Sequence, residues 1–365
     1  MASKPAKRHH LVPKFYLKAF AAEANIRVQV IGGKSYVSSA AKAFTVNDFY
    51  KTSEAEDSSL LEFEEHLSGV ESRAADSLRK LGNLKRIGRQ DKSDIAEFLL
   101  AQWVRGEDFR LASNSFNNLA IRDMARHSAE EDVRLFHELM FGRMTSDDEW
   151  ELLWQRYLSN EGPGFLSTVA NNFSQLRSLT MESKKALLLI RRWTVIHFQQ
   201  PSLISGDRPV VLADLKRTAR SVVSPGLANT PQVIFPMNRS MALVLELEHN
   251  KETVFEMIER LQSVYWVAGN KQQADQINHL IVLNSRDKIF GHPSDSERLL
   301  KLSELLEPIS NWKTSSDWSE ATQRLLALKE TVVNLFRDTS RDDIARMLAK
   351  SQSSGGSSDS FFQDF

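Results

Sequence analysis

Cysteine is missing altogether from this chain of 365 residues. That absence excludes disulfides, thiolate nucleophiles, cysteine-ligated zinc and iron–sulfur clusters, so a nucleophile or metal ligand must come from His, Asp, Glu or Ser. Charge of one sign is missing too. The 47 basic side chains are balanced by 47 acidic ones, and no global field draws the chain to nucleic acid or to an acidic membrane. Long apolar runs are also absent: stretches such as 186–190 and 280–283 fall far short of the ~20 residues that a bilayer span takes. The basic N-terminus (Lys4, Lys7, Arg8) lacks the apolar core of a signal peptide, so a cytoplasmic protein without membrane contact is expected. The P-loop, Rossmann, zincin, nucleophile-elbow and EF-hand patterns do not occur, which removes sequence support for those chemistries.

What is there begins with an ordinary globular composition, 41% apolar and 26% charged, on a chain long enough to bury a full core without staples. Neutrality is the sum of unlike blocks. Residues 1–22 carry Lys4, Lys7, Arg8, Lys14 and Lys18 and no acid. Residues 54–76 carry Glu54, Glu56, Asp57, Glu62, Glu64, Glu65, Glu71 and Asp76 against Arg73 alone. Residues 181–241 are basic again, from Lys184 to Arg239. Such blocks are solvated faces or complementary surfaces that meet in the fold; the later basic block is alternatively an anion site.

Periodicity predicts a mostly helical chain. Pro13 stands where a short helix begins, with Phe15, Tyr16, Leu17 and Phe20 on adjoining faces. Ile26, Val28 and Val30 alternate with polar residues before Gly32-Gly33, a hairpin signal. Apolar residues then recur every three or four positions over 58–84 and from 92 to about 126, as in long amphipathic helices. Short strands are expected at 193–198, 210–212, 233–235 and 241–247, and helices over 253–285 and 296–350. The expected architecture is α+β, long helices packed around a small, mostly antiparallel sheet. A basic tail (1–8) precedes one domain over 9–349, strand-rich at about 193–248, and a flexible Ser/Gly tail (350–365) follows. Its tip holds Phe361, Phe362 and Phe365 beside two aspartates and resembles the docking tip of bacterial single-stranded-DNA-binding proteins; a frayed terminus is the plainer alternative.

Several constellations offer chemistry. His9-His10 is the one vicinal histidine pair, of a type that binds metals or shuttles protons. Arg122 and His127 show the spacing of helical ribonucleases of the HEPN type, a pattern short enough to arise by chance. Ser205-Gly206-Asp207-Arg208-Pro209 follows a strand and exposes a hydroxyl and a carboxylate at its end, unless both simply bond the turn backbone.

The segment His10-Leu11-Val12-Pro13-Lys14-Phe15-Tyr16-Leu17-Lys18-Ala19-Phe20 resembles the opening of the bacterial and fungal domain of unknown function 4238 family. Further pieces follow in that family's order: Val46-Asn47-Asp48-Phe49-Tyr50, Glu71, the helix from Ala96 through Gln102 and Arg105 to Arg110, the Ser205–Pro209 turn with an added glycine, Ile234-Phe235-Pro236-Met237, and Ile277-Asn278 with 284–290. The family carries no established activity. The resemblance implies a short set of polar residues, His10, Tyr16, Glu71, Gln102, Arg105, Asp207 and Asn278, and Ser205 beside the added glycine joins them as a binding candidate. If they converge, His10, Glu71, Arg105 and Asp207 suit general acid–base work on an anionic, phosphate-bearing substrate, with Tyr16, Gln102, Ser205 and Asn278 binding it. The expected function is a hydrolase or nuclease acting on a nucleotide or nucleic acid, in a bacterial defence or toxin setting, with a divalent metal left open as cofactor. The alternative is a non-enzymatic interaction or sensor protein that docks a partner through its tail. A buried network that only holds helices against the sheet would use the same residues.

Overall fold

The computed structural model describes residues 8–47, 57–105, 125–141, 144–158, 179–213, 227, 230–247, 263–304, 342 and 346. The architecture is α+β, with helices packed on antiparallel and mixed sheets. No helix among the described residues is long and apolar enough to cross a membrane. The chain divides into two compact units: Met1–Phe109 with Glu182–Lys313, and Arg110–Met181 with Thr314–Phe365. Nothing in the sequence signals that division.

In the first unit the strands fall into three sheets where the sequence suggests one. β1 (Arg8–His10) pairs antiparallel with β4 (Thr45–Asn47), His10 opposite Thr45. Between them lie α1 (Lys14–Lys18), which starts after Pro13 as expected, and the hairpin of β2 (Asn25–Val30) and β3 (Ser35–Ser39). The alternation in β2 puts Ile26 and Val28 into the core. Gly32 turns the hairpin in the left-handed region, φ 69°. This hairpin belongs to a four-stranded sheet ordered β3-β2-β11-β6, completed by β6 (Ser205–Gly206) and β11 (Lys288–Gly291).

The third sheet is ordered β10-β5-β9-β8-β7: β5 (Arg192–Phe198), β7 (Val211–Ala213), β8 (Gln232–Asn238), β9 (Met241–Glu246) and β10 (Tyr265–Gly269). All its pairs are antiparallel except β10 with β5. β10 lies inside the stretch 253–285 that reads as helix. Its run Tyr-Trp-Val-Ala suits a strand, and Gly269 lets it close on β5, where a Cβ would run into Phe198 and Ile196. The helix starts only at Lys271: Asn270 accepts from the Gln273 N–H, and the Gln273 side chain accepts from the Asn270 N–H, a reciprocal cap.

Two helices follow the N-terminal strands, α2 (Asp57–Gly82) and α3 (Arg89–Val104). They run antiparallel and are cross-linked by Arg73 to Glu97 (3.1 Å) and Asp94 (3.5 Å), and by Lys80 to Asp91 (2.6 Å). The acids of these pairs lie on α3 and not in the acidic block of 54–76, and such exposed pairs contribute little each. In the second unit α4 (Glu130–Phe141) and α5 (Asp147–Leu158) both open on acidic first turns, favourable to the helix dipole. There His137 Nδ1 meets Tyr157 Oη (2.6 Å), and the fully buried Glu138 accepts from the Thr145 N–H and hydroxyl. The remaining elements are α6 (Leu179–Leu189), α7 (Lys271–Asn284) and α8 (Ser296–Glu304).

One apolar core joins the two larger sheets through α7: Phe198, Leu203, Ile204, Ala242, Ile277, Ile281, Ile289 and Leu299 pack together. Beside it an aromatic cluster ties α1 to α3 and to both sheets. Tyr16 stacks on Phe235 (4.8 Å), Phe20 meets Phe290 edge-on (5.4 Å), and Phe98 touches both Phe15 (5.3 Å) and Phe235 (5.9 Å). Each fully buried ring among them contributes about 1.5–3 kcal/mol by leaving water.

Candidate functional site

The eight polar residues singled out from the sequence fall into two groups. His10, Glu71, Gln102 and Arg105 form the first. Phe98, Gln102 and Arg105 stand at i, i+4 and i+7, one face of α3. Arg105 caps the helix and is almost wholly buried; its Nη2 donates to Glu71 Oε1 on α2 at 2.6 Å, and the Glu71 side chain is 26% exposed. His10 is half-buried at the end of β1, and its Nε2 donates to the Ala41 carbonyl at 3.3 Å. Because a carbonyl only accepts, the neutral ring carries its proton on Nε2, and Nδ1 holds the lone pair. Burial lowers the His10 pKa below the usual histidine value. The Ala41 bond and Glu71 pull it up, and the Arg105 and Lys14 charges push it down, so His10, Glu71 and Arg105 share one electrostatic neighbourhood. Gln102 is buried, and among the described residues neither its Nε2 nor its Oε1 has a hydrogen-bond partner. The adjacent His9 bonds Glu64 at 2.6 Å and so tacks β1 to α2.

Tyr16, Ser205, Asp207 and Asn278 form the second group, around the segment 202–210. The buried Tyr16 hydroxyl donates to the Pro236 carbonyl (2.7 Å) and shares a hydrogen bond with Ser205 Oγ (2.7 Å). Pro236 lies beyond the part of β8 that β7 covers, where a residue without an N–H does no harm to the ladder. Burial raises the Tyr16 pKa and keeps the phenol neutral. Asn278 on α7 accepts from the Ile204 N–H (3.0 Å) and donates to the Ser202 carbonyl (2.9 Å). Asp207 accepts three backbone N–H bonds at the α7–β11 turn, from Arg286 (2.8 Å), Asp287 (2.7 Å) and Lys288 (2.9 Å). Burial raises its pKa, against those three donors, which favour the carboxylate. The added glycine of the Ser-Gly-Asp turn has a steric cause: a Cβ on Gly206 would run into the Ser285 side chain. Asp207 thus meets the turn that follows α7, whereas the charged groups acting on His10 are Glu71, Arg105 and Lys14.

Two other buried polar groups, Arg191 and Lys92, gave no sign in the sequence. Arg191, fully buried, donates to the carbonyls of Leu187, Leu227, Thr230 and Pro231. Lys92 donates to the Ser263 carbonyl (2.6 Å) and lies over the Trp193 ring. Asn284 holds the carbonyls of Arg208 and Val210. Arg191 is one of a basic block and Lys92 one of a helix's first turn; only packing tells them from solvated neighbours. Among the described residues no three His, Asp or Glu side chains group as metal ligands. Arg122, the partner of His127 in the ribonuclease-like spacing, lies outside the described residues, as do Asp48–Tyr50, Arg110 and the tail phenylalanines 361, 362 and 365.

The order of these motifs along the chain agrees with a family model described as protein of unknown function (DUF4238), which matches residues 8–295; the chain belongs to that family. No curated protein and no solved structure matches it.

Proposed function

We propose that the protein is a hydrolase or nuclease acting on the phosphate of a nucleotide or nucleic acid, with His10, Glu71 and Arg105 as its site. The observation that carries this is a buried guanidinium beside a half-buried imidazole that its surroundings hold toward the neutral form. Arg105 keeps its charge at any working pH, and its planar fork suits the oxygens of a phosphoryl group. Glu71 takes one edge of that fork and orients it. His10, with its lone pair on Nδ1, serves as general base. It takes the proton of a water whose oxygen bonds to phosphorus while the bond to the leaving alcohol breaks, then passes the proton to the leaving oxygen. Ester and water become phosphate and alcohol, and His10 is regenerated. Asp207 enters this scheme only through the fold, since its oxygens already serve the turn backbone.

The test is hydrolysis of nucleotides and of single- and double-stranded oligonucleotides by the full chain, compared with His10→Ala and Arg105→Met. His10→Ala should lower the rate about 100-fold or more with little change in melting temperature. Undiminished turnover in both variants, or no phosphate-ester hydrolysis by the parent, would overturn the proposal.

A further inference from the structure

Gln102 is the feature that the hydrolytic scheme leaves unexplained. It is 5% exposed, and both ends of its carboxamide lack partners among the described residues. A buried donor and acceptor left so carry their full desolvation cost, which a leucine or methionine of similar volume would not. Asn278, as deeply buried, shows the usual solution by using both ends of its amide on the backbone. The neighbours of Gln102 on α3 differ in kind. One turn earlier is Phe98, packed against the partly exposed ring of Phe15 at 5.3 Å; nearly one turn later is Arg105. An aromatic edge, an unfilled amide and a cation therefore follow each other along one helix face; the cation meets the partly exposed Glu71, and both act on the half-buried His10.

We infer that Gln102 reads the base of a nucleotide, pairing with an adjacent donor and acceptor on its edge while Arg105 takes the phosphate. This rests on the phosphate-site reading above and adds a substrate class to it. A carboxamide offers an acceptor and a donor side by side. It matches the amino group and ring nitrogen on one edge of adenine, as glutamine and asparagine do in base recognition generally. The partly exposed ring of Phe15, packed on Phe98, is the aromatic that would stack on the base.

Calorimetric titration of the full chain with adenosine monophosphate and with ribose phosphate separates the two levels. The parent should bind the nucleotide about tenfold tighter or more, the size of one bidentate base contact. Gln102→Leu should lose that margin, leave ribose phosphate binding unchanged, and melt no lower than the parent. Arg105→Met should weaken both ligands. If Gln102→Leu keeps the full margin while Arg105→Met weakens both, base reading fails and the phosphate site stands. If the parent binds neither ligand, or Arg105→Met binds both as the parent does, the phosphate site fails and this inference with it. Should Gln102→Leu not fold, Gln102→Met replaces it; a large loss of melting temperature in both would make Gln102 structural and overturn the inference.

Discussion

The two polar groups of the first unit are built from similar residue types and behave oppositely. Around segment 202–210, the Tyr16 hydroxyl, Ser205 Oγ, both ends of Asn278 and both oxygens of Asp207 have partners inside the protein. Around α2 and α3, Gln102 has none among the described residues, His10 is half-buried with a lowered pKa, and Glu71 reaches solvent. A satisfied network spends its polar groups on stability and leaves nothing for a ligand. An unsatisfied one costs stability and keeps its groups available. Burial alone does not separate them, since Gln102 and Asn278 are both buried; what separates them is where their hydrogen bonds go.

That contrast can be broken by substitution, and the largest effect is expected at Asp207. Asp207→Ala strands three backbone N–H groups at the α7–β11 turn and should cost about 4 kcal/mol in denaturant unfolding. A loss under about 1 kcal/mol would show the turn to be held by something else. Next comes Gly206→Ala, whose methyl must displace Ser285; about 2 kcal/mol is expected, relieved when Ser285→Gly is added. Tyr16→Phe keeps the stacking on Phe235 and removes two hydrogen bonds, for about 1–2 kcal/mol, with hydrolysis per folded molecule unchanged.

The smallest effect, and the sharpest test of the open group, is pH. The folded-state pKa of His10 lies below its unfolded value of about 6.5. Above about 6.5 the ring is neutral in both states and the shift has no effect. As pH falls below about 6.5 the unfolded chain takes up the proton first, so stability declines until pH passes the folded pKa, and then levels off. His10→Ala should remove this component from the difference in melting temperature between pH 7 and pH 5. In the hydrolytic scheme the same titration sets the acid limb of activity, with its midpoint below about 6.5. An acid limb that stays in place in His10→Ala would take the general base away from His10.

Much of the local structure was legible along the chain. Pro13 marks the start of α1, Gly32 the β2–β3 turn, and the apolar repeat the span of α2; each is set by neighbours in sequence. β10 was not legible, because its apolar run continues into the pattern of α7, and only the approach of β5 at Gly269 and the Asn270 cap divide strand from helix. The two-residue strand β6 exists only because β11 pairs with it. Among the site candidates, residue type and order picked out eight polar positions. Which of them would meet was not legible, because a carboxylate that caps a turn and one that faces a guanidinium have the same side chain.

By itself the sequence determined the family, the α+β class, the absence of cysteine chemistry and the identity of the polar groups that have to be accommodated. These follow from composition, local periodicity and motif order. The tertiary structure alone decided that Asp207 closes the α7–β11 turn while Glu71 meets Arg105, and that Asn278 is satisfied while Gln102 is not. The reason is geometric. A hydrogen bond needs its partner within about 3 Å, and for residues 34 to 220 positions apart, as Arg105 is from Glu71 and Tyr16 from Pro236, only the packing of helices on sheets sets that distance.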